Sequence, residues 1–164
     1  MITLGLDPGF ARAGYGIVEK NGNQIKLVDC GCIITEPKTT FCDRLVQIAD
    51  DLEELIDKFK PDHCAIESLF FFKNTKTAIS VASARGVMIL VPRKKNIMIF
   101  EYTPLQIKQA LTGYGKAEKN QITKMVQKII GVQNSIKLDD TSDAIAAAIC
   151  HLNSFRLDEK LTKK

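Results

Sequence analysis

Four acidic residues occupy positions from which a folded chain would bring their side chains together: Asp7, Glu67, Asp140 and Asp143. Asp7 and Glu67 each end a short apolar run, which is the pattern of a buried strand whose last residue reaches the edge of a sheet. Asp140 and Asp143 stand one helical turn apart at the start of an alanine-rich stretch. Two strand ends and one helix start that meet would place four carboxylates in one pocket.

Carboxylates gathered in this way favour a particular chemistry. Like charges at short range repel and raise one another's pKa unless a cation lies between them. Hard oxygen ligands suit Mg²⁺ or Mn²⁺ better than zinc, which prefers nitrogen and sulfur. Divalent cations held by carboxylates activate water and stabilise the leaving oxygen of a phosphodiester. The four acids therefore predict a metal-dependent nuclease.

The hydrophobic pattern predicts the elements that must position these acids. Apolar runs bounded by turn residues predict five strands, at residues 2–7, 14–19, 24–35, 62–67 and 97–102. Apolar residues repeated at the helical period predict five helices, at about residues 41–59, 75–90, 104–111, 122–130 and 140–155. Pro92 is expected to end the second helix, and Gly86 to allow it to pack closely.

The order of these elements predicts an α/β fold. Three strands joined by hairpins are antiparallel, whereas strands separated by helices run parallel through right-handed crossovers. The result is a five-stranded mixed sheet flanked by helices, the ribonuclease H-like arrangement. The carboxyl ends of its first and fourth strands, which carry Asp7 and Glu67, lie side by side, and sites in open sheets form beyond such ends.

Composition and charge narrow the classes of function. Residues 29–67 carry ten acids and four bases, whereas residues 85–128 carry nine bases and two acids, so one side of the molecule suits phosphates. No apolar stretch has the length of a membrane span, and no signal peptide precedes the first strand. The five cysteines lack paired spacing, which predicts reduced thiols and no zinc site. We expect a cytoplasmic protein with one domain over residues 1–156 and a short, disordered basic tail over residues 157–164.

Several motifs in a fixed order resemble the RuvC-type Holliday junction resolvases over residues 2 to about 152. They are Gly5-Leu6-Asp7-Pro8-Gly9 with residues 14–16, then residues 65–67, 70, 73–74, 84–86, 100–102, 106–109, 113–119, 121 and 143–151. Each motif alone has little specificity, whereas the ordered set is specific. The resemblance implies a homodimeric, Mg²⁺-dependent endonuclease that binds four-way DNA junctions. It also implies paired nicks in opposing strands and a branch-migration motor of the RuvA and RuvB type as partner.

The resemblance also implies roles for the four acids. Asp7 would be the central ligand of two Mg²⁺ ions, with Mn²⁺ as a substitute. Glu67 would complete one ion and Asp143 the other, with Asp140 assisting. In-line attack of water on phosphorus would leave 5′-phosphate and 3′-hydroxyl ends.

The residues expected to contact DNA are one aromatic residue and five lysines: Phe70, Lys73, Lys76, Lys108, Lys116 and Lys119. Lys108 and Lys119 match family positions near the scissile phosphate. Phe70 follows a strand end beside basic residues and matches the family's aromatic residue, so we expect it to stack on an exposed base where strands exchange. Burial of the phenylalanines at residues 70–72 in the core is the alternative.

Some assignments stay open at this point. Asp140 and Asp143 also fit a helix cap with an acid in the first turn, and Asp139 rivals Asp140 as metal ligand until the family spacing selects Asp140. His151 matches a family position but lies about three turns beyond Asp140, which favours helix packing over ligation. The helix at residues 75–90 suits either a dimer contact or packing within the chain.

Three other functions fit parts of the pattern. A sugar kinase or actin-like ATPase of the same fold needs further glycine motifs and a second domain, for which 164 residues are too few. A ribonuclease H would cut RNA–DNA hybrids instead of junctions. A non-catalytic junction-binding protein would not need four intact acids. The sequence therefore favours the junction endonuclease.

Overall fold

The computed structural model describes residues 1–68, 75–131 and 141–162. Within them, five strands form one sheet: β1 Ile2–Asp7, β2 Arg12–Asn21, β3 Gln24–Ile34, β4 His63–Glu67 and β5 Met98–Tyr102. The helices of the same segments are α1 Phe41–Phe59, α2 Thr75–Lys94, α3 Pro104–Thr112, α4 Lys119–Ile130 and α5 Ser142–Thr162. None of these helices combines the length and the hydrophobicity that a membrane span requires.

The sheet has the strand order β3-β2-β1-β4-β5. Strand β2 is antiparallel to both of its neighbours, whereas β4 is parallel to β1 and β5. This is the predicted ribonuclease H-like mixed sheet. Because Leu6 pairs with Ile66 in the parallel register, the carboxyl ends of β1 and β4 are neighbours.

Helices cover both faces of the sheet, and each face has its own buried core. Leu4, Leu6 and Ile66 point to one face, where they pack with residues of α1 and α2 such as Ile48 and Met88. The opposite core joins α3, α4 and α5, and its buried residues include a continuous run in α5 over residues 145–150. Burial on both faces explains why the central strands are nearly continuous apolar runs.

Two glycines let α5 lie directly against the strands. A Cβ atom on Gly5 would stand 1.9 Å from the carbonyl oxygen of Ala144, and one on Gly16 would stand 2.6 Å from Cγ1 of Ile145. Only a residue without a side chain permits such an approach of helix to strand. The first turn of α5 is therefore held close to the carboxyl end of β1.

The structure corrects three predicted boundaries. Strand β2 begins at Arg12, two residues before the predicted start. Helix α2 passes through Pro92 and ends at Lys94. Proline lacks only its own N–H, and the turn continues past it because the N–H of Lys95 still donates to the carbonyl oxygens of Val91 and Pro92. Helix α5 continues to Thr162, beyond the predicted end near Phe155. The division into a domain over residues 1–156 and a tail over residues 157–164 stays a prediction. Residues 156–161 are mostly strong helix formers, which accounts for the extension.

Candidate active site

Asp7 is the last residue of β1, and its side chain is partly buried. Burial raises the pKa of its carboxyl group to about 6, and repulsion by Asp143 acts in the same direction, whereas the positive charge of Lys119 opposes both. An acid in this state accepts a nearby cation readily, because a cation relieves both the loss of hydration and the repulsion.

Glu67 occupies the equivalent position at the end of β4, directly beside the end of β1. The pKa of Glu67 is raised to about 7, first by burial and then by the charges of Asp7 and Asp143, against the opposing charges of Lys108 and Lys119. Asp143 and Lys119 act on both Asp7 and Glu67. The two strand ends and the helix start therefore share one electrostatic site, as the sequence predicts.

Asp143 reaches this site from the first turn of α5. Its carboxylate is 36% exposed, and its Oδ2 atom lies 3.3 Å from Nζ of Lys119. The backbone N–H of Ile145 donates to the carbonyl oxygen of Thr141 at 3.0 Å, which sets the start of the helix. Asp139 and Asp140 precede this turn and lie outside the described residues, so the choice between them stays a prediction.

A cavity of about 250 Å³ opens between the strand ends and the helices. Glu67, Lys108, Lys119 and Asp143 line it together with the apolar residues Pro104, Ile107 and Ile122. Two acids and two lysines on one apolar-walled cavity can hold a phosphate and the cations that neutralise it. A larger groove of about 540 Å³ lies between α1 and α2, on the opposite side of the sheet, and is lined by none of the three predicted acids that the structure describes, Asp7, Glu67 and Asp143.

Helix starts fix the two lysines in place. Thr103 caps α3, since the N–H of Gln106 donates to its hydroxyl at 3.2 Å, and Gln106 in turn accepts from the N–H of Thr103 at 2.8 Å. Glu118 precedes α4, where its N–H donates to Oε1 of Gln121 at 2.9 Å. Lys119 is thus the first residue of a capped helix, a position that suits the binding of anions.

The donor set fits a hard divalent cation, because the carboxylates are oxygen ligands whose raised pKa values reflect burial and repulsion. Among the described residues, however, no three His, Cys, Asp or Glu side chains are already gathered as a metal-binding group. The fourth predicted acid, Asp140, lies outside that part of the chain. The ammonium group of Lys119 supplies the positive charge beside Asp143.

The structure describes only some of the side chains that are predicted to contact DNA. Lys108 and Lys119 line the cavity, and Lys116 is exposed on the loop between α3 and α4. Phe70 and Lys73 lie outside the described residues. Lys76 falls within α2, and the structure does not describe its side chain. The contacts of Phe70, Lys73 and Lys76 stay predictions.

His151 is fully buried and has two hydrogen-bond partners. Its Nε2 atom lies 2.9 Å from Nδ1 of His63, and its Nδ1 atom lies 2.8 Å from the hydroxyl oxygen of Tyr102. The aromatic rings of Phe100 and Phe155 pack against it. This environment supports the packing role that the sequence favours. Sequence reasoning did not find the partners His63 and Tyr102, because they lie on other elements.

A ribonuclease H-like sheet with acids at the ends of β1 and β4 and at the start of the last helix defines a nuclease-type site. Comparison with known families agrees, since the model of the crossover junction endodeoxyribonuclease RuvC matches residues 3–151. The chain belongs to this family of DNA endonucleases, as its motifs predict.

Individual relatives cover nearly the whole chain. The RuvC endonuclease of Ruminiclostridium cellulolyticum is 50% identical over 157 residues, covering 96% of this chain and 95% of that protein. The RuvC endonuclease of Halothermothrix orenii is 48% identical over 160 residues, which is 98% of this chain and 97% of that protein. Among solved structures, Thermus thermophilus RuvC in complex with a Holliday junction substrate superposes with a TM-score of 0.90 at 29% identity, covering 96% of each chain.

Proposed function

We propose that this protein resolves four-way DNA junctions during recombination and repair by paired nicks in opposing strands. The observation that carries the proposal is the convergence of Asp7, Glu67 and Asp143 with Lys108 and Lys119 on one site, in a chain matched to the family over residues 3–151. The Thermus thermophilus relative, which holds a Holliday junction substrate, supports the choice of DNA.

The cofactor that we propose is Mg²⁺, two ions per site, with Mn²⁺ as a substitute, held by Asp7, Glu67, Asp140 and Asp143. Bound divalent cations supply activation of water and stabilisation of the departing 3′-oxygen, which gives 5′-phosphate and 3′-hydroxyl ends. The chain itself supplies ionised oxygen ligands. Because the pKa of Asp7 is about 6 and that of Glu67 about 7, Glu67 is the acid whose proton most limits cation binding near neutral pH.

Lys119 and Lys108 bind the scissile phosphate in this proposal. The ion pair between Lys119 and Asp143 is partly exposed, with 63% of the lysine side chain accessible, so it contributes little stability. Lys119 can therefore exchange Asp143 for a phosphate oxygen at small cost. Its departure leaves Asp143 free to serve as a cation ligand.

We propose further that the protein is a homodimer that uses α2. The exposed side of α2 carries small and apolar residues at helical spacing: Ile79, Ala82, Gly86 and Leu90. Ile79 is 75% exposed and Leu90 is 57% exposed. Outside the backbone of its own helix and its chain neighbours, a Cβ atom on Gly86 would meet no described atom within 4 Å, so Gly86 does not serve close packing within the described part of the chain. A second copy of α2 would cover such a face.

Dimerisation has a direct test. Leu90→Arg should convert a dimer into a folded monomer in sedimentation velocity experiments, whereas the control Lys58→Ala on α1 should stay dimeric. A wild-type protein that sediments as a monomer at micromolar concentration would contradict the dimer.

The remaining partners rest on family membership. We propose a branch-migration motor of the RuvA and RuvB type as partner and the cytoplasm as location; the free state of all five cysteines suits a reducing compartment. Co-purification of the protein with tagged motor subunits on junction DNA tests the first proposal. Fractionation of cells tests the second.

Cleavage of synthetic DNA tests the function itself. A labelled four-way junction should receive symmetric nicks in Mg²⁺ and none in EDTA, and the matching duplex should stay intact in both. An RNA–DNA hybrid in the same assay distinguishes a junction endonuclease from a ribonuclease H. Cleavage of the hybrid without cleavage of the junction would refute the proposal.

A further inference from the structure

Two large side chains, one on α3 and one on the loop that follows it, are exposed to solvent. Leu105, in the first turn of α3, is 59% exposed, and Tyr114, on the loop between α3 and α4, is 60% exposed. Leu105 lies between Pro104 and the cavity-lining residues Ile107 and Lys108. Single exposed apolar residues are common on protein surfaces, so exposure alone does not indicate a site.

The backbone around Tyr114 is held firmly. Gly113 ends α3 with φ of 73°, and its N–H donates to the carbonyl oxygen of Gln109 at 2.9 Å. The hydroxyl oxygen of Thr112 accepts from the N–H of Tyr114 at 3.1 Å. The Thr112 hydroxyl has two acceptors within reach, the carbonyl oxygen of Lys108 at 2.8 Å and that of Tyr114 at 3.0 Å. The N–H of Ala117 donates to the Tyr114 carbonyl oxygen at 3.2 Å. These hydrogen bonds define the backbone of the turn that carries the exposed Tyr114 side chain.

The loop lies directly on Leu105. A Cβ atom on Gly115 would stand 2.4 Å from Cδ1 of Leu105, so the backbone at Gly115 leaves no gap above that side chain. Leu105 and Tyr114 therefore flank the same short stretch of backbone. We call these two residues the Leu105–Tyr114 patch.

Three lysines lie close to this patch along the chain, with one acid, Glu118, among them. Lys108 follows Leu105 by one helical turn, Lys116 follows Tyr114 by two residues, and Lys119 begins the next helix. An apolar, aromatic surface between lysines is complementary to a nucleotide, whose base and deoxyribose are apolar and whose phosphates are negative. A neutral peptide or an acidic protein would use only one of these two features.

We propose that the Leu105–Tyr114 patch binds a nucleotide next to the cleaved phosphate, with the Tyr114 ring stacked on an unpaired base at the strand exchange and Leu105 against its sugar. The proposal rests on the junction-cleaving function above and adds a base contact to its phosphate contacts. Stacking on an aromatic ring tolerates any base, so the patch holds the strand in place without reading its sequence.

Fluorescence gives a direct test, because the chain has no tryptophan. Tyr114→Trp introduces a single reporter at the patch, and Met98→Trp introduces one at a residue that is 50% exposed at the amino end of β5, away from the cavity. Each protein is titrated with an uncut four-way junction in EDTA. Emission of the reporter at position 114 should be quenched and protected from iodide at saturation, whereas the reporter at position 98 should change little.

Affinity supplies the second measurement. Tyr114→Ala should weaken junction binding about fivefold or more, the range expected for one lost base stack, and Tyr114→Phe should bind like wild type. The salt dependence of binding should be the same for all three proteins, since stacking releases no counterions. If the emission at position 114 does not change with a junction that the wild-type protein binds and cuts, the proposal of the patch is overturned and the proposed function is not. A wild-type protein that neither binds nor cuts the junction overturns the proposed function and the patch with it.

Discussion

His63 and His151 are joined through their rings, with Nδ1 of His63 at 2.9 Å from Nε2 of His151. Burial, together with the charge of His63, lowers the pKa of His151 to about 4. The folded protein therefore binds fewer protons here than the unfolded chain between about pH 4 and pH 6.5. The stability contributed by the neutral ring is fully present above pH 6.5 and is lost as the pH falls toward 4.

We expect this histidine to make stability pH-dependent. Its contribution to the free energy of unfolding should change by at most about 1.4 kcal/mol per pH unit between about pH 4 and pH 6.5, which is the limit for one proton. Urea unfolding of wild type and of His151→Gln at several pH values measures it, and the difference between the two proteins isolates the histidine. Parallel pH profiles would show that His151 does not titrate in this way.

The raised pKa values of Asp7 and Glu67 affect the pH dependence of stability in the opposite direction to His151. Their protonated forms are favoured in the folded state, so the stability that they contribute is present at acidic pH and is lost as the pH rises through about 6 and 7. At pH 8 in EDTA, Asp7→Asn and Glu67→Gln should therefore raise the melting temperature.

Both variants, Asp7→Asn and Glu67→Gln, should bind junctions within a few-fold of wild type and fail to cut them. A variant that cuts at a near wild-type rate would exclude its residue from the catalytic site.

Asp139 and Asp140 can be separated by rate and stability. Asp140→Asn should reduce cleavage severely with little change in melting temperature, because we assign Asp140 to the metal. Asp139→Asn should keep nearly full activity and lose about 1 kcal/mol of stability at most, as expected for a cap or a solvated neighbour. Rates under saturating Mg²⁺ decide between them, and the reverse pattern would make Asp139 the ligand.

Phosphate contact by Lys119 should be visible in the salt dependence of binding. Each phosphate that a protein neutralises adds about 0.9 to the slope of log affinity against log salt for duplex DNA. Lys119→Ala should reduce the slope by about that amount and slow cleavage, while Lys58→Ala on α1 should change neither. An unchanged slope with an unchanged rate would place Lys119 outside the phosphate site.

The contact between Gly5 and Ala144 gives a prediction about geometry. Gly5→Ala would place a methyl group 1.9 Å from a carbonyl oxygen of α5, so the helix must move away from β1. We expect a lower melting temperature and a loss of cleavage, because Asp143 moves with the helix. Gly86→Ala adds the same methyl group at a position where no described atom outside its own helix backbone and chain neighbours lies within 4 Å, and it should not destabilise the folded chain. Equal melting temperatures for Gly5→Ala and wild type would contradict the close packing.

Sequence patterns predicted the sheet and the adjacency of Asp7 and Glu67, because strand polarity follows from the length and type of the connections. They did not reveal contacts between distant elements. Nothing in the residues around Gly5 indicates that Ala144 lies on it, and nothing around His151 indicates His63. The end of α2 was missed for a different reason, since a proline near the end of a helix disturbs few hydrogen bonds and does not stop it at once. The sequence placed Tyr114 in a loop but did not predict its exposed ring, because exposure is a property of the folded surface.

The packing of α5 against β1 has a consequence for the protein as it is made. Strand β1 leaves the ribosome before α5, yet the acids of the site come from both. A nascent chain therefore carries Asp7 and Glu67 at the ends of β1 and β4 without Asp143 until α5 has been made. Any product truncated before residue 143 lacks part of the proposed catalytic set. We therefore expect fragments from incomplete synthesis to lack nuclease activity.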